Sequence, residues 1–397
     1  MQAKKLLIIT QNFYPELGSA ANRLKLLFKH FNDEGVFTKV LTTKPSYPNH
    51  LLFKDDHLFN DEMLNNLEGE QIIRMNMWGS KQSKSHIFRL LYYLEQFIRV
   101  RAYINLHKGD FDYIYVSSPN IFLAWATLFL KRNKKAQYIL EIRDLWPDSV
   151  KAIKGMNLKV TWPLLKWLEK KMYNKADKIV VNNLSFQNHI KKLLLKPIPI
   201  IFIPNSLSRE ERYDKEKLNE FSIIYTGNIG YAQDVNQLIE ICTILNELKI
   251  KFTGIIYGVQ APKLREAVKS MKYIELQKAL SREDCLKEIS KHHVALSILN
   301  NREVFMNVIP GKIIDAIGVG TIPITNIGGV MMHDIQNFQM GYAKKQATTS
   351  EIINAIISYR DNRQKYEKER KNLESYRDEN LIWEKNIHKL ILFLRGE

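Results

Sequence analysis

The chain has 397 residues, 45% hydrophobic and 25% charged, which excludes a disordered or collagen-like chain and predicts about two or three domains. Its two cysteines, Cys242 and Cys285, exclude a disulfide framework or a multi-thiolate metal site and fit a reduced, intracellular setting. Within a net +17, residues 1–205 carry 31 basic against 17 acidic side chains, so that half suits an anionic partner, with a plain solubility charge as the alternative.

Apolar runs and helical patterns alternate along the chain. The first half predicts strands at 6–10, 36–42, 72–76, 113–116, 137–141 and 178–182. Helices are predicted at 22–34, 85–107, 120–131 and 162–173. The pattern pauses over the proline-bearing stretch 196–205 and the charged stretch 209–220. It restarts with strands at 222–226, 252–257, 273–276, 294–298 and 322–325, and helices at 234–248, 262–271, 282–291, 312–317 and 350–373. A last apolar helix, 380–393, has no strand after it and is expected to pack back toward the first domain. Continuous apolar strands between helices indicate parallel sheets covered on both faces. The expected architecture is α/β, with two doubly wound Rossmann-like domains, 1–203 and 204–379, facing a central cleft, and 380–397 as the returning helix. Ligands in such sheets lie at the carboxyl ends of strands. No run is long enough for a leader or a membrane span, so a cytoplasmic protein is expected.

Chemistry is sought at those strand ends. Gly18 and Ser19 stand between the first strand and its helix, where backbone N–H groups can approach an anion; an ordinary turn is the alternative. Asp110-Phe-Asp112 could hold a divalent metal, but it stands at the amino end of a strand and reads as structural. Glu141-Ile-Arg143-Asp144-Leu-Trp146-Pro147-Asp148-Ser149 follows a strand and offers Arg143 and Asp144 for binding or proton handling, or for an internal ion pair. Pro310 and Gly311 open a helix that carries Lys312 and Asp315. A lysine in the first turn conflicts with the helix dipole, and a bound diphosphate would remove the conflict. Asp315, one turn on, could accept from ribose hydroxyls; a surface Lys–Asp pair is the bland alternative. No His/Asp/Glu run has metal-ligand spacing, and His30, His57, His107 and His189 read as surface residues, with His333 in a loop. Residues 85–108 carry an apolar stripe (Ile87, Leu91, Leu94, Ile98) and an opposite basic, aromatic stripe (Arg89, Tyr92, Gln96, Arg99, Tyr103), the latter expected outward. With 131–135 and with Trp162, Lys166, Trp167, Lys170 and Lys171, that stripe suits a membrane surface or an anionic acceptor, or is simply a solvated face.

These residues resemble the retaining glycosyltransferases of the GT-B fold, family 4, and among them the L-fucosamine transferase type of bacterial surface-polysaccharide synthesis. The blocks are Phe13-Tyr-Pro15 through Gly18 and Arg23, Ser117-Ser-Pro119, the 141–149 segment, Tyr225-Thr-Gly227-Asn228-Ile-Gly230-Tyr231-Ala-Gln233, and Pro310-Gly311-Lys312 through Asp315, Gly320 and Pro323, with Ile203-Pro204-Asn205 matching the family's interdomain linker. The resemblance implies transfer of an N-acetylated or deoxy-amino sugar from a UDP-sugar, with retention and without metal or other cofactor. The donor would be held by Gly18, Asn228, Tyr231, Asn307, Pro310, Gly311, Lys312 and Asp315. Arg143 and Asp144 would serve the acceptor hydroxyl. Family members carry two carboxylates eight residues apart; here Asn307 takes the first place and Asp315 the second. Asn228 and Tyr231 stand where an arginine and a lysine are common.

The acceptor implied is a glycan or lipid-linked sugar for capsule, O-antigen or exopolysaccharide. Arg89, Arg99, Trp162, Lys166 and Lys170 would face it or the anionic inner leaflet, giving a peripheral protein on the inner membrane face. A nucleotide-sugar 2-epimerase and a non-catalytic partner subunit remain as alternatives. Nucleic acid is not expected, because no reading motif is present.

Overall fold

The computed structural model describes residues 4–47, 49–54, 56–79, 83, 85–129, 135–149, 161–213 and 216–397. They form two compact units, Met1–Pro204 with Glu384–Glu397, and Asn205–Trp383. The expected basic element at 131–135 falls, except for Lys135, outside the described residues, as do residues 159–160 of the basic face around Trp162.

The first unit runs β1 (Lys5–Ile9), α1 (Ser19–Asp33), β2 (Phe37–Thr43), α2 (Glu62–Asn66), β3 (Ile72–Met75), α3 (His86–Leu106) and β4 (Tyr113–Ser117). It continues with α4 (Ile121–Leu128), β5 (Gln137–Ile142), α5 (Trp162–Lys175), β6 (Lys178–Val181), α6 (Phe186–Leu193) and β7 (Ile200–Phe202). Its sheet is parallel throughout, in the order β3-β2-β1-β4-β5-β6-β7. Leu6 to Ile9 and Tyr113 to Ser117 are buried along their whole length, which is why they read as unbroken apolar runs. The strand order reverses between β1 and β4, and a doubly wound sheet keeps its ligand crevice at that point.

The second unit repeats the plan. Its elements are β8 (Ser222–Asn228), α7 (Val235–Glu247), β9 (Lys251–Tyr257), α8 (Ala261–Val268), β10 (Ile274–Gln277), α9 (Arg282–Lys291) and β11 (Val294–Ser297). Then follow α10 (Glu303–Met306), α11 (Gly311–Gly318), β12 (Ile322–Thr325), α12 (Gly329–Asn337), β13 (Tyr342–Ala343), α13 (Thr349–Asp361) and α14 (Arg363–Asn380); the last helix, α15 (Trp383–Arg395), belongs from Glu384 on to the first unit. The parallel order β10-β9-β8-β11-β12-β13 puts the reversal between β8 and β11.

Four local readings change. The stretch 196–205 holds a strand, β7, paired to β6 rather than a bare linker. The helix expected at 350–373 is two, because Asn362 leaves helical geometry and its side chain accepts from Lys365 N–H, capping α14. His333 lies exposed on α12 and not in a loop. Helix α3 is turned over: Tyr92 and Gln96 are buried, while Ile87 is 71% and Ile98 65% exposed. The reason is polar pairing. Asn120 Nδ2 donates to Gln96 Oε1 at 2.6 Å and to Gln11 Oε1 at 2.8 Å, and Gln96 Nε2 donates to Tyr92 Oη at 3.3 Å. Those amides meet at the carboxyl ends of β1 and β4, so the polar side of α3 is drawn inward.

Candidate functional site

In the second unit the strand-end residues converge around β8. Gly227 has φ +96°, and a Cβ there would lie 3.1 Å from Lys312 Nζ, so glycine is needed both for the backbone and for the close approach. Pro310 is the extended residue before α11, and Gly311 and Lys312 are its first two helical residues. Their N–H groups belong to the first turn, which has no intrahelical acceptors. The Lys312 ammonium turns back to donate to the carbonyl oxygens of Thr226 and, at 3.4 Å, Asn228, and it sits 4.4 Å from the centre of the Tyr225 ring. Burial pushes its pKa down to about 7, with Cys285 and Asp315 opposing. The Lys312 side chain is thus fixed at the carboxyl end of β8 by backbone carbonyls.

Asp315 is one turn along α11. Its Oδ1 accepts from Arg282 Nη2 at 3.0 Å, and Arg282 Nε donates to Glu211 Oε1 at 2.7 Å. Burial alone would lower the Arg282 pKa; Asp315 and then Glu211 outweigh it and hold it raised. Sequence reasoning missed Arg282. The signal existed, since Arg282 is also a cation at the first position of a helix, but Glu283 and Asp284 beside it supply the acids that the dipole prefers and mask the anomaly. The 228–233 loop is pinned by Gly230 N–H on Gln233 Oε1 at 2.8 Å and by Gln260 Nε2 on the Gly230 carbonyl at 2.5 Å. Tyr231 stands exposed on it, and its carbonyl accepts from Asn300 Nδ2 at 2.6 Å. Asn307 is exposed at the end of α10, beside Gly329. Burial pushes the Cys285 thiol up to about 12, so it stays protonated and is no nucleophile.

In the first unit, Gly18 precedes α1 with φ +119°. Glu16, in the same loop, accepts from the N–H groups of Ser46 and Tyr47 at 2.7 and 2.8 Å and ties the β2 exit to it. Arg143 leaves β5 and is drawn back: its Nε donates to the Ser118 carbonyl at 2.7 Å and lies 3.7 Å from Glu141 Oε2. Burial raises the Asp144 pKa, against the Ser149 hydroxyl, the Leu145 N–H and Arg143. Arg143, Gln11 and Asn120 thus share the switch point of the first sheet through the 117–120 turn, with Asp144 next to Arg143 in the chain. Of these, Gln11 and Asn120 were not read from the sequence; uncharged amides carry no pattern until two strand ends bring them together.

The proposed membrane-facing residues are differently placed. Lys166 Nζ lies 2.7 Å from Asp148 Oδ2 and 2.6 Å from Glu169 Oε2, and 5.7 Å over Trp162. Glu169 also accepts from Tyr173 Oη at 3.0 Å and lies 2.7 Å from His189 Nε2, so His189 is a paired, part-buried residue and not a free surface one. Asp148, Glu169 and His189 have ligand atoms within 4.8 Å of one another, a spatial grouping with no sequence spacing to announce it. The Lys166 ammonium already bridges its two carboxylates. Arg99 is paired with Glu95 at 2.7 Å and lies 5.1 Å over Trp78. Arg89 is part-buried beside Tyr93, and Lys170 is exposed on α5. Asp112 of the Asp-Phe-Asp run takes Lys4 Nζ at 3.2 Å and Lys5 N–H at 2.9 Å, at the amino end of β4.

Residues 55–211 match the family Glycosyltransferase Family 4. No curated protein matches the chain. Among solved structures it is similar to sucrose-phosphate synthase from Thermosynechococcus elongatus, at 13% identity and a TM-score of 0.77, covering 99% of this chain and 98% of that one. It is similar to Anabaena HepE in complex with UDP and glucose, at 12% identity and 0.69, covering 99% and 100%. It is also similar to WaaG, a glycosyltransferase involved in lipopolysaccharide biosynthesis, at 12% identity and 0.70, again over 99% and 100%. None of these names L-fucosamine. With two repeated Rossmann-like units matched end to end by such structures, the chain has the GT-B fold, and its residues 55–211 carry the Glycosyltransferase Family 4 match.

Proposed function

We propose that the chain is a retaining glycosyltransferase that moves a sugar from a UDP-sugar to a glycan or lipid-linked acceptor. Its setting on this reading is bacterial capsule, O-antigen or exopolysaccharide synthesis at the inner membrane face. The sugar is an N-acetylated or deoxy-amino hexose, L-fucosamine being the one that the sequence resemblance implies, and no metal takes part. The observation that carries the reading is the group at the carboxyl end of β8, where Lys312, the start of α11 and Asp315 occupy one helical turn. Breaking the sugar–phosphate bond leaves negative charge on the diphosphate. Lys312 and the first N–H groups of α11 are fixed donors for it, and such donors are typically worth ~3–4 kcal/mol each. Asp315, oriented by Arg282, accepts from ribose hydroxyls. Asp144, whose carboxyl is raised by burial, and Arg143 handle the acceptor hydroxyl. Same-face attack assisted by the departing phosphate needs no protein nucleophile. The structures of HepE with UDP and glucose and of WaaG support the choice of donor and setting by likeness of fold.

The test is thermal stabilisation by a panel of nucleotides, followed by turnover of labelled UDP-sugars with and without acceptor, in EDTA. Transfer only when acceptor is present, in EDTA, is the expected result. Conversion of donor without acceptor would make the protein a 2-epimerase. Donor binding with no turnover would make it a non-catalytic partner, and no stabilisation by UDP would remove the donor assignment.

A further inference from the structure

The outer side of α3 is apolar. Ile87, Phe88, Leu90, Leu91, Leu94 and Ile98 are exposed, and no described side chain of this helix that is exposed carries a charge. From Ile87 to Ile98 the stripe runs about 16 Å along the helix. Soluble surfaces scatter single apolar residues; a continuous stripe marks a docking face. The acid on the helix, Glu95, is neutralised from within the unit. It accepts from the N–H groups of Trp78 and Gly79 at 2.9 and 3.2 Å and pairs with Arg99.

The face continues onto α5. The connections β3 to β4, β4 to β5 and β5 to β6 step the same way along the sheet, so right-handed crossovers put α3, α4 and α5 on one side of it. Aromatic contacts join them: Tyr93 of α3 stacks on Phe122 of α4 at 5.5 Å, Trp125 stacks on Phe129 at 5.9 Å, and Lys171 of α5 lies 4.8 Å over Phe129 and 4.7 Å over Trp167. On α5, Trp167 is 54% exposed, Leu164 is exposed beside it, and Lys170 and Lys175 point to solvent, while the acid Glu169 is buried.

We propose that the outer faces of α3 and α5 seat the first unit on an anionic bilayer, with the α3 stripe and Trp167 entering the acyl boundary and the α5 lysines meeting headgroup phosphates. This deepens the membrane-side setting proposed above and rests on that reading for its purpose, not for its physics. The surface is not the basic stripe expected from the sequence, because Arg99 and Lys166 are spent on Glu95, Asp148 and Glu169. Charge selects the occupant. A second copy of this face would bring further exposed lysines and no exposed acid of α3 or α5 to pair with them, in a half of the chain with 31 basic and 17 acidic residues. An anionic leaflet is complementary to both the lysines and the apolar stripe.

The experiment is co-sedimentation of the full chain, without donor or acceptor, with vesicles of phosphatidylcholine alone or with about one part in three phosphatidylglycerol. The variants are Leu94→Glu/Ile98→Glu and Lys170→Glu/Lys175→Glu, all at exposed positions, with folding checked by thermal unfolding. Wild type should favour the anionic vesicles. The α3 variant should lose at least about tenfold in partitioning to both compositions. The α5 variant should lose the preference for phosphatidylglycerol. Transfer to a soluble acceptor should be unchanged in the α3 variant, which separates failure of the docking face from failure of the transferase reading. Absence of wild-type binding, or equal binding by the α3 variant, overturns the proposal. So does a wild-type dimer that the α3 variant breaks, which assigns the face to a second copy.

Discussion

Each unit builds an arginine–carboxylate centre, and the two differ in how far they are closed. In the first, Glu141 accepts from Arg23 Nε at 2.7 Å and Tyr115 Oη at 2.6 Å on one oxygen, and from the Ser117 hydroxyl on the other, with Arg143 close by. Arg23 and Glu141 are 1% and 0% exposed. Burial alone would raise the Glu141 pKa; Arg23, then Arg143 and the two hydroxyls, hold it low. In the second, Arg282 joins Glu211 to Asp315, and the Asp315 side chain stays 24% exposed. The Arg23–Glu141 pair is closed and acts as a fastener, whereas Arg143 at its edge keeps a side chain that is 12% exposed. A centre left open on one side is oriented and still able to bind. The two pairs share their chemistry and differ in closure, and on the proposed function only the open one meets a ligand.

The comparison breaks first if Glu141 proves dispensable. Glu141→Ala leaves the buried Arg23 guanidinium without its carboxylate, and unfolding by denaturant should show a loss of about 3–5 kcal/mol. A loss under 1 kcal/mol would mean that the centre is hydrated and not closed. Lys312→Ala, at the open centre, should leave the unfolding midpoint near wild type and cut turnover at least ~100-fold; unchanged turnover removes Lys312 from the reaction. Arg282→Met should weaken UDP binding about tenfold by releasing Asp315. That deficit should vanish for a UDP analogue lacking both ribose hydroxyls, whereas a general loss of packing would weaken both ligands alike.

The smallest effect is in protons. The Lys312 pKa in the free protein is lowered to about 7, and a diphosphate beside the ammonium would raise it again. Above pH 7 the free side chain is increasingly neutral, so binding must take up a proton. UDP affinity should then fall by up to about tenfold per pH unit above 7. Calorimetry at pH 8 in buffers of different ionisation enthalpy measures that uptake directly, and none at all would place the diphosphate away from Lys312.

The strands and their parallel order were legible because burial on both faces leaves unbroken apolar runs, as at 6–9 and 113–116. The first-turn lysine at 312 was legible because it offends the helix dipole. Arg282 was not, because its partners are 71 and 33 residues away in sequence and its neighbours look ordinary. For α3, helical spacing shows two stripes and cannot say which is inside. The decision is made by Asn120 and Gln11, which reach Gln96 only once β1 and β4 lie side by side. The break at Asn362 was hidden by helix-forming sequence on both sides of it.

The helix α15 carries a consequence for the order in which the protein can be made. Its body, Glu384–Glu397, belongs to the first unit, where Lys178 Nζ donates to the carbonyls of Phe393 and Leu394, both at 2.7 Å, and Ile387, Leu390, Ile391 and Leu394 are buried. A ribosome delivers that helix only after the whole of Asn205–Trp383, a delay on the order of ten seconds or more at usual translation rates. Through that interval the nascent first unit has an apolar berth without its occupant. Early release of the chain, or loss of the last fourteen residues, should therefore expose the first unit to chaperones and proteases while the second folds undisturbed.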